Sequence, residues 1–219
     1  MTFPRPVKSR PAKSRLLAAA CLLAIVASTA ATAKPVRYEI DPTHTYPSFE
    51  ADHMGVSVWR GKFNSSKGVI ELDKAAATGT VDVTIDTASV DYGLDAMNDE
   101  ARKADLLDTG KYPKAVYKGR LVDFRDGAPT RVTGELTLRG ISKPLDLKID
   151  RFKCIPHPLH QRELCGADAV GTFRRDEFGI DAGKDYGFDM NVTMRIQVEA
   201  VQVEAVQAEA VQVEAAKAP

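Results

Sequence analysis

Apolar and polar residues alternate with a period of two over many short segments between Val36 and about Ala200. Segments such as "TVDVTID", "RVTGELTL" and "MNVTMRIQVEA" are separated by clusters of Gly, Pro, Asp and Asn. Because successive side chains of a strand point to opposite faces, this period predicts strands with one buried face. Many such segments with turn residues between them indicate an all-β, antiparallel domain.

One stretch interrupts the alternation. Residues 92–113, "YGLDAMNDEARKADLLDTGKYP", are rich in Ala, Leu, Asp and Glu and contain Gly110 and Pro113 at their end. This composition predicts one or two short helices over about residues 92–110, ending near Thr109. The strands around this insertion can form a sandwich or an eight-stranded antiparallel barrel, and a closed barrel leaves no exposed strand edges.

Inward side chains decide what such a barrel does, because an interior of eight strands holds packed side chains or one slender ligand. The apolar face of each strand predicts which residues point inward. They are Phe49, Ala51, Val81, Val83, Ile85, Tyr117, Leu121, Leu136, Leu138, Leu147, Phe173, Val192, Met194 and Ile196. From the pattern alone these residues either fill a solid core, the commoner arrangement, or line an apolar tunnel.

The first 33 residues have the pattern of an export signal. Basic residues precede an apolar run from Leu16 to Ala27, and Ala31-Thr32-Ala33 offers small residues for cleavage after Ala33. A spanning helix needs about twenty apolar residues, so this shorter run disfavours an uncleaved membrane anchor. The pattern predicts a periplasmic protein, with one domain over residues 34–200.

Removal of this segment changes the charge balance. The full chain has 30 Lys+Arg and 30 Asp+Glu, and residues 1–33 carry five of the basic residues and no acidic ones. The remaining chain is therefore net negative, which is not the balance of a nucleic-acid-binding protein.

Two cysteines and two histidines fall within "CIPHPLHQRELC", residues Cys154 to Cys165. Zinc accepts both residue types, but the spacing differs from the usual zinc patterns and two prolines stiffen the segment. In an exported protein cysteines pair, and two remain once the signal is removed. We therefore expect a Cys154–Cys165 disulfide rather than a metal site, with His157 and His160 in a solvated loop.

Catalysis would need titratable groups that converge. His44 precedes the predicted strand that contains Phe49, and His53 follows it. A histidine pair can act as a base or bind a metal, but no nucleophile-elbow, HExxH or phosphate-loop motif accompanies this one. Structural or pocket-lining roles are favoured, and an enzyme that uses His44 and His53 on a lipid is the alternative. In "RRDEFG", Arg174 and Arg175 mark a charged strand end or a site for an anionic head group.

Four ordered segments resemble signatures of the YceI-like family of bacterial periplasmic proteins. They are "YEIDPTHTYPSFEADHMGVSVWRGKFNSSKGVIELD", "LLDTGKYP", "VTGELTLRGISKPLDL" and "RRDEFGID", and the similarity extends from about Tyr38 to Ala200. The resemblance implies a lipocalin-like, eight-stranded barrel whose apolar tunnel holds a long isoprenoid or similar chain. It implies no catalytic residues, no cofactor and no metal.

On this chain the resemblance favours a tunnel over a solid core and implies a set of tunnel and rim residues. They are Phe49, Ala51, His53, Val81, Val83, Ile85, Tyr117, Leu136, Leu138, Phe173, Arg174, Arg175, Phe178, Val192 and Met194. The expected partner is a polyisoprenoid, a quinone or a fatty amphiphile, bound for periplasmic transport, storage or stress response. A transient membrane contact and a homodimer are compatible with this interpretation.

From Gln197 the sequence repeats QVEAV, QVEAV, QAEAV and QVEAA, followed by KAP. A period of five keeps no apolar stripe on a strand or on a helix. We expect the first copy to finish the last strand and residues 201–219 to form an acidic, low-complexity tail.

Overall fold

Pairing between the first and last strands closes the sheet on itself. The computed structural model describes residues 34–203, which contain twelve strands and one α-helix. The strands are β1 Val36–Ile40, β2 Tyr46–His53, β3 Ser57–Phe63, β4 Ser66–Asp73, β5 Thr78–Asp86, β6 Val90–Asp91, β7 Lys114–Val122, β8 Arg131–Leu138, β9 Ile141–Pro144, β10 Leu147–Pro156, β11 Glu163–Arg174 and β12 Asn191–Gln202, and helix α1 is Asp95–Ala101.

Eight of these strands form the closed ring, in the order β1-β4-β5-β7-β8-β10-β11-β12, and β12 pairs back with β1. At the closure Tyr38 lies opposite Gln202, and Ile40 lies opposite Ala200. The neighbouring pairs around the ring are antiparallel. The predicted eight-stranded antiparallel barrel with one short helix is confirmed.

Three further strands lengthen the wall on one side. β2 continues from β1 and pairs with the first half of β12, so that Phe49 lies opposite Met194. β3 pairs with β2, and β6 pairs with β3. The barrel therefore has an upper end, where β2 joins β3, β6 leads through α1 to β7, β8 joins β9, and β11 joins β12. The lower end carries the β4–β5, β7–β8 and β10–β11 turns and both ends of the described chain.

The alternation of side chains explains where the core lies. In β12 the inward residues Val192 and Met194 are buried. Arg195, the outward residue between Met194 and Ile196, is exposed. All fourteen residues predicted to point inward are buried in the hydrophobic core or packed against it. Among residues 34–203 no helix is long and apolar enough to cross a membrane.

The helical prediction extends too far. Helix α1 ends at Ala101, and the chain from Arg102 to Lys111 is a series of turns rather than a second helix. The Leu107 amide bonds back to the Ala101 carbonyl at 3.0 Å, which folds the chain so that Leu106 and Leu107 pack on the core. Burial of these two leucines thus outweighs the local helix propensity.

The first QVEAV copy lies within β12. The strand ends at Gln202, one residue into the second copy, so Val201 and Gln202 of the predicted tail belong to the strand. The predicted signal (residues 1–33) and the remaining repeats (residues 204–219) lie outside the described residues.

A disulfide joins the β10–β11 hairpin. Cys154 and Cys165 lie opposite each other across the hairpin, with their Cα atoms 4.0 Å apart, and their sulfurs are bonded as expected. Glu163 lies beside them, but bonded sulfurs are not thiolates and cannot complete a zinc site with it. The His157 and His160 rings lie 4.5 Å apart in the connecting loop.

The disulfide should stabilise the barrel against unfolding. Replacing both Cys154 and Cys165 by Ser should lower the free energy of unfolding by about 2–3 kcal/mol, because the unfolded chain gains the freedom of an open loop. Urea denaturation with and without a thiol reductant measures this. Reductant should destabilise the wild-type protein to the level of the double variant and leave the variant unchanged; equal stability of all four samples would contradict the prediction.

Candidate functional site

The apolar interior of the barrel is the candidate site. In its middle, Val81, Val83 and Ile196 share the inward face with fully buried neighbours such as Tyr117, yet each remains only half-buried. In a closed, solid core an inward side chain in mid-strand has no accessible surface left. Partial accessibility at these positions therefore indicates space inside the wall.

Large inward side chains lie flat against this wall where it carries glycine. A Cβ atom on Gly61 would come within 2.5 Å of the Phe49 ring, and one on Gly134 within 2.5 Å of the Tyr117 hydroxyl. Both distances are shorter than side-chain atoms allow, so only glycine permits these positions of the rings. The rings cover the wall instead of projecting across the interior.

The Tyr117 hydroxyl is satisfied within the wall. It donates a buried hydrogen bond of 2.9 Å to the Leu145 carbonyl. Burial, with a smaller effect of Asp146, raises the pKa of this hydroxyl above its usual range. Tyr117 therefore presents an uncharged ring to the interior without an unpaired polar group.

Aromatic residues concentrate in the upper half. The Phe49 ring lies 5.6 Å from the Phe63 ring and 5.4 Å, edge to face, from the Tyr92 ring. Phe173 and Phe178 form a second edge-to-face pair at 5.3 Å. Sequence reasoning missed Tyr92, which follows β6 in a segment assigned to the helical insertion.

The other predicted tunnel residues follow the strand alternation. Five of them are buried, and Ala51 is half-buried against the core. The five are Ile85, Leu136, Leu138, Val192 and Met194. Two grooves of about 610 and 510 Å³ lie elsewhere on the barrel and are lined by none of the predicted ligand-binding residues.

A stacked group of rings forms one side of the upper rim. The His53 ring stacks on Trp59 with 3.9 Å between centroids, and Phe188, from the β11–β12 connection, meets His53 edge to face at 5.2 Å. His53 ends β2 and thus lies at the upper rim. Trp59 and Phe188 were not predicted, because strand β3 and the β11–β12 connection gave no period-two signal.

The two adjacent arginines have different environments. Arg174 is exposed and bonds Asp176 at 2.7 Å; Lys184 also bonds Asp176, at 3.0 Å, and these two cations lower the pKa of that carboxyl to about 2. Arg175 is half-buried, and within residues 34–203 it forms no salt bridge. Burial lowers the pKa of its guanidinium, although it stays charged near neutral pH.

Polar side chains and the disulfide close the lower end. The Tyr38 hydroxyl, almost fully buried, donates to the Glu163 carboxylate, which also accepts a 2.7 Å bond from Lys74. Burial and the neighbouring Glu163 raise the pKa of Tyr38. Burial opposes ionisation of Glu163, but the bonds from Lys74 and Tyr38 outweigh it and lower the pKa of its carboxyl. At neutral pH Tyr38 therefore stays protonated and Glu163 stays ionised.

The two candidate catalytic histidines do not share a site. His44 lies in the β1–β2 turn, and His53 ends β2, nine residues later. An extended strand rises about 3.3 Å per residue, which places them roughly 30 Å apart. The structure therefore does not bring His44 and His53 together in one site.

His44 belongs instead to a local network on the surface. Its Nδ1 lies 2.8 Å from Asp41 Oδ2, and the Thr43 hydroxyl donates to Asp41 Oδ1 at 2.6 Å. The bond from Thr43, followed by that from His44, lowers the pKa of Asp41 to about 2, and the bond to Asp41 raises the pKa of His44. These bonds fix the turn that directs the chain from β1 to β2.

The His44–Asp41 pair should stabilise the fold most between about pH 4 and 6.5. The pKa of His44 is raised in the folded protein. The stabilisation that His44 contributes is therefore complete at pH values below its pKa in the unfolded chain, and it is lost as the pH rises through its pKa in the folded protein. Titration by NMR should give His44 a pKa above 6.5, and the substitution Asp41→Asn should bring that pKa back toward 6.5. The charge-matched control Asp150→Asn, on β10, should leave it unchanged; a wild-type pKa of 6.5 or below would contradict the prediction.

Comparisons with known proteins agree with this architecture. The YceI-like domain family matches residues 38–200. Protein YceI of Escherichia coli O6:H1 is 33% identical over 177 residues, which cover 79% of this chain and 91% of that protein. A UPF0312 protein of Shewanella putrefaciens is 31% identical over 183 residues, which cover 82% of this chain and 90% of the relative.

Solved structures share the fold. The YceI protein of Campylobacter jejuni aligns with a TM-score of 0.59 and 26% identity, over 70% of this chain and 90% of that one. A polyisoprenoid binding domain from Saccharophagus degradans aligns with a TM-score of 0.56 and 16% identity, over 77% of this chain and 99% of that domain. With a closed eight-stranded barrel and a family match over residues 38–200, the chain belongs to the YceI-like family.

Proposed function

We propose that the barrel binds a long isoprenoid chain, or a similar amphiphile, non-covalently in its interior. The observation that carries this proposal is the half-buried state of Val81, Val83 and Ile196 on the inward face of a closed barrel. Flattened rings over Gly61 and Gly134 keep the same space clear. Membership of a family that has a polyisoprenoid binding domain among its structural neighbours supports the same ligand class.

The dimensions suit a chain rather than a compact metabolite. β12 has 12 residues. At about 3.3 Å per residue and a strand tilt of about 40°, such a barrel is roughly 30 Å tall. Each CH₂ group moved from water to an apolar wall contributes about 0.8 kcal/mol, so affinity grows with the length of chain enclosed.

Arg175 is the residue best placed to hold a polar head group. It lies at the upper end next to the Phe173–Phe178 pair, half-buried and without a carboxylate partner in the described part of the chain. A partly desolvated guanidinium favours a phosphate or carboxylate group over a neutral one. The ligand would then lie with its head at the upper end and its tail toward Tyr38.

The cellular setting we propose is the periplasm, with the ligand carried or stored there. An isoprenoid chain does not stay dispersed in water, and a closed barrel shields it during transit. The Cys154–Cys165 disulfide is in keeping with an oxidising compartment.

Native mass spectrometry of protein purified from expressing cells, followed by organic extraction, tests the proposal. We expect an adduct that extracts as a polyprenyl or quinone-type lipid. The variant Val81→Phe should reduce lipid binding at least tenfold by filling the interior. Thr80→Phe, one residue away on the exposed outer face, is the matched control and should bind normally.

Stability separates a tunnel from a solid core. In a solid core the larger side chain of Val81→Phe would cost about 1–3 kcal/mol, whereas space inside the wall would accommodate it at lower cost. A protein that remains lipid-free after incubation with polyprenol, together with strong destabilisation by Val81→Phe, would exclude the proposed function.

A second pair of variants tests the head-group site. Arg175→Gln should weaken binding of a polyprenyl phosphate at least fivefold and change binding of the uncharged polyprenol little, because only the phosphate needs a cation. Arg174→Gln, whose cation is already paired with Asp176, should leave both affinities near wild type. Equal effects of the two substitutions would argue against a specific role for Arg175.

A further inference from the structure

Large apolar side chains are exposed mainly at one end of the barrel. Among residues 34–203, nine are exposed, and seven of them lie at or beside the connections of the upper end. We call these seven the apolar ring: Met54, Val56, Val58, Trp59, Leu94, Ile141 and Tyr186. The remaining two, Ile155 and Leu159, lie together at the lower end in the β10–β11 hairpin.

Contacts between the connections link the loops that carry the ring in two pairs. The Asp189 amide donates to Asp52 at 3.4 Å, which links the β11–β12 connection to the end of β2, beside the β2–β3 turn. Arg139, in the β8–β9 turn, donates at 2.9 Å to the carbonyl of Ala104, in the segment after α1. The ring members therefore belong to neighbouring loops that together form the upper rim.

The distribution of the ring over separate loops fits a broad, even partner. Val56 and Tyr186, 81% and 79% exposed, project from two different loops, the β2–β3 turn and the β11–β12 connection. Exposed apolar patches of this kind mark interaction surfaces, and Trp and Tyr with aliphatic neighbours are typical of the membrane interface.

We propose that the upper end docks on the surface of a lipid bilayer. This inference rests on the proposed function, because an isoprenoid resides in a membrane and must enter the barrel through an end. The ring surrounds the end at which Arg175 and the aromatic pairs lie. Contact between the ring and the bilayer gives the chain a path from membrane to interior that avoids water.

The charges nearby indicate what drives this contact. The β11–β12 connection carries five acidic residues against two basic ones: Asp176, Glu177, Asp181, Asp185 and Asp189 against Arg175 and Lys184. A surface of this sign is not attracted to anionic lipids. Docking is therefore driven by apolar contact, and it favours zwitterionic over anionic membranes.

Trp59, the single tryptophan of the chain, lies in the ring and reports the contact directly. The full protein is mixed with phosphatidylcholine vesicles that contain no isoprenoid, and co-sedimentation and Trp59 fluorescence are measured. We expect sedimentation with the vesicles, a shift of the emission to shorter wavelength, and quenching by phosphatidylcholine with brominated acyl chains.

Matched variants test the location of the contact. The double variant Val56→Ser with Tyr186→Ser should reduce the partition coefficient at least tenfold. The control, Ile155→Ser with Leu159→Ser, removes exposed apolar surface from the lower end, where Leu159 is 83% exposed, and should change it less than twofold. Circular dichroism establishes that both variants are folded.

Several outcomes would overturn the proposal. The wild-type protein could fail to sediment with the vesicles, or both double variants could lose vesicle binding equally. Vesicle binding that requires phosphatidylglycerol and disappears at high salt would also contradict the proposal. A dimer in analytical ultracentrifugation that Val56→Ser with Tyr186→Ser dissociates would assign the ring to a second copy of the chain instead. A lipid adduct in native mass spectrometry without vesicle binding removes docking but leaves the proposed function intact.

Discussion

Three residue pairs between β1 and β12, from Tyr38–Gln202 to Ile40–Ala200, hold the barrel closed, and the rest of the structure depends on that closure. A closed antiparallel sheet satisfies its backbone groups within its own wall, so the interior can be purely apolar. Because β2 continues the pairing along the first half of β12, the last strand is held over most of its length. An open sheet with the same residues would expose its apolar face to water.

The two ends of the barrel are built from different chemistry. Below, Tyr38 and Glu163 form a buried hydrogen bond beside the disulfide, so that end is fixed by polar and covalent links. Above, Phe49 meets Tyr92 and Phe173 meets Phe178 through ring contacts, which can repack at lower cost. A ligand that enters such a barrel meets a fixed floor and an adaptable opening.

The sequence predicted most strands because their alternation survives along each segment, and it missed parts where the alternation is broken. In β10 a bulge between Ile149 and Arg151 changes which residues point inward. Leu147 and Ile149 point inward with a period of two, but Phe152 breaks this period. In β3 the adjacent Val58 and Trp59 are both apolar, which hides the alternation. The upper rim joins distant loops, and no local pattern reports such contacts. Likewise the sequence could not distinguish Arg174 from Arg175, because only the fold decides which of them meets Asp176.

The glycines under the aromatic rings also set the width of the barrel interior. Gly119 and Gly134 lie opposite each other on β7 and β8, and Tyr117 lies across them. A methyl group at Gly134 would lie 2.5 Å from the Tyr117 hydroxyl and 2.7 Å from the Lys118 carbonyl, so both the ring and the wall would have to shift. The width of the interior thus depends on glycine positions, which have no side chain of their own. A substitution at such a glycine therefore changes the width of the interior while every side chain that faces it is retained.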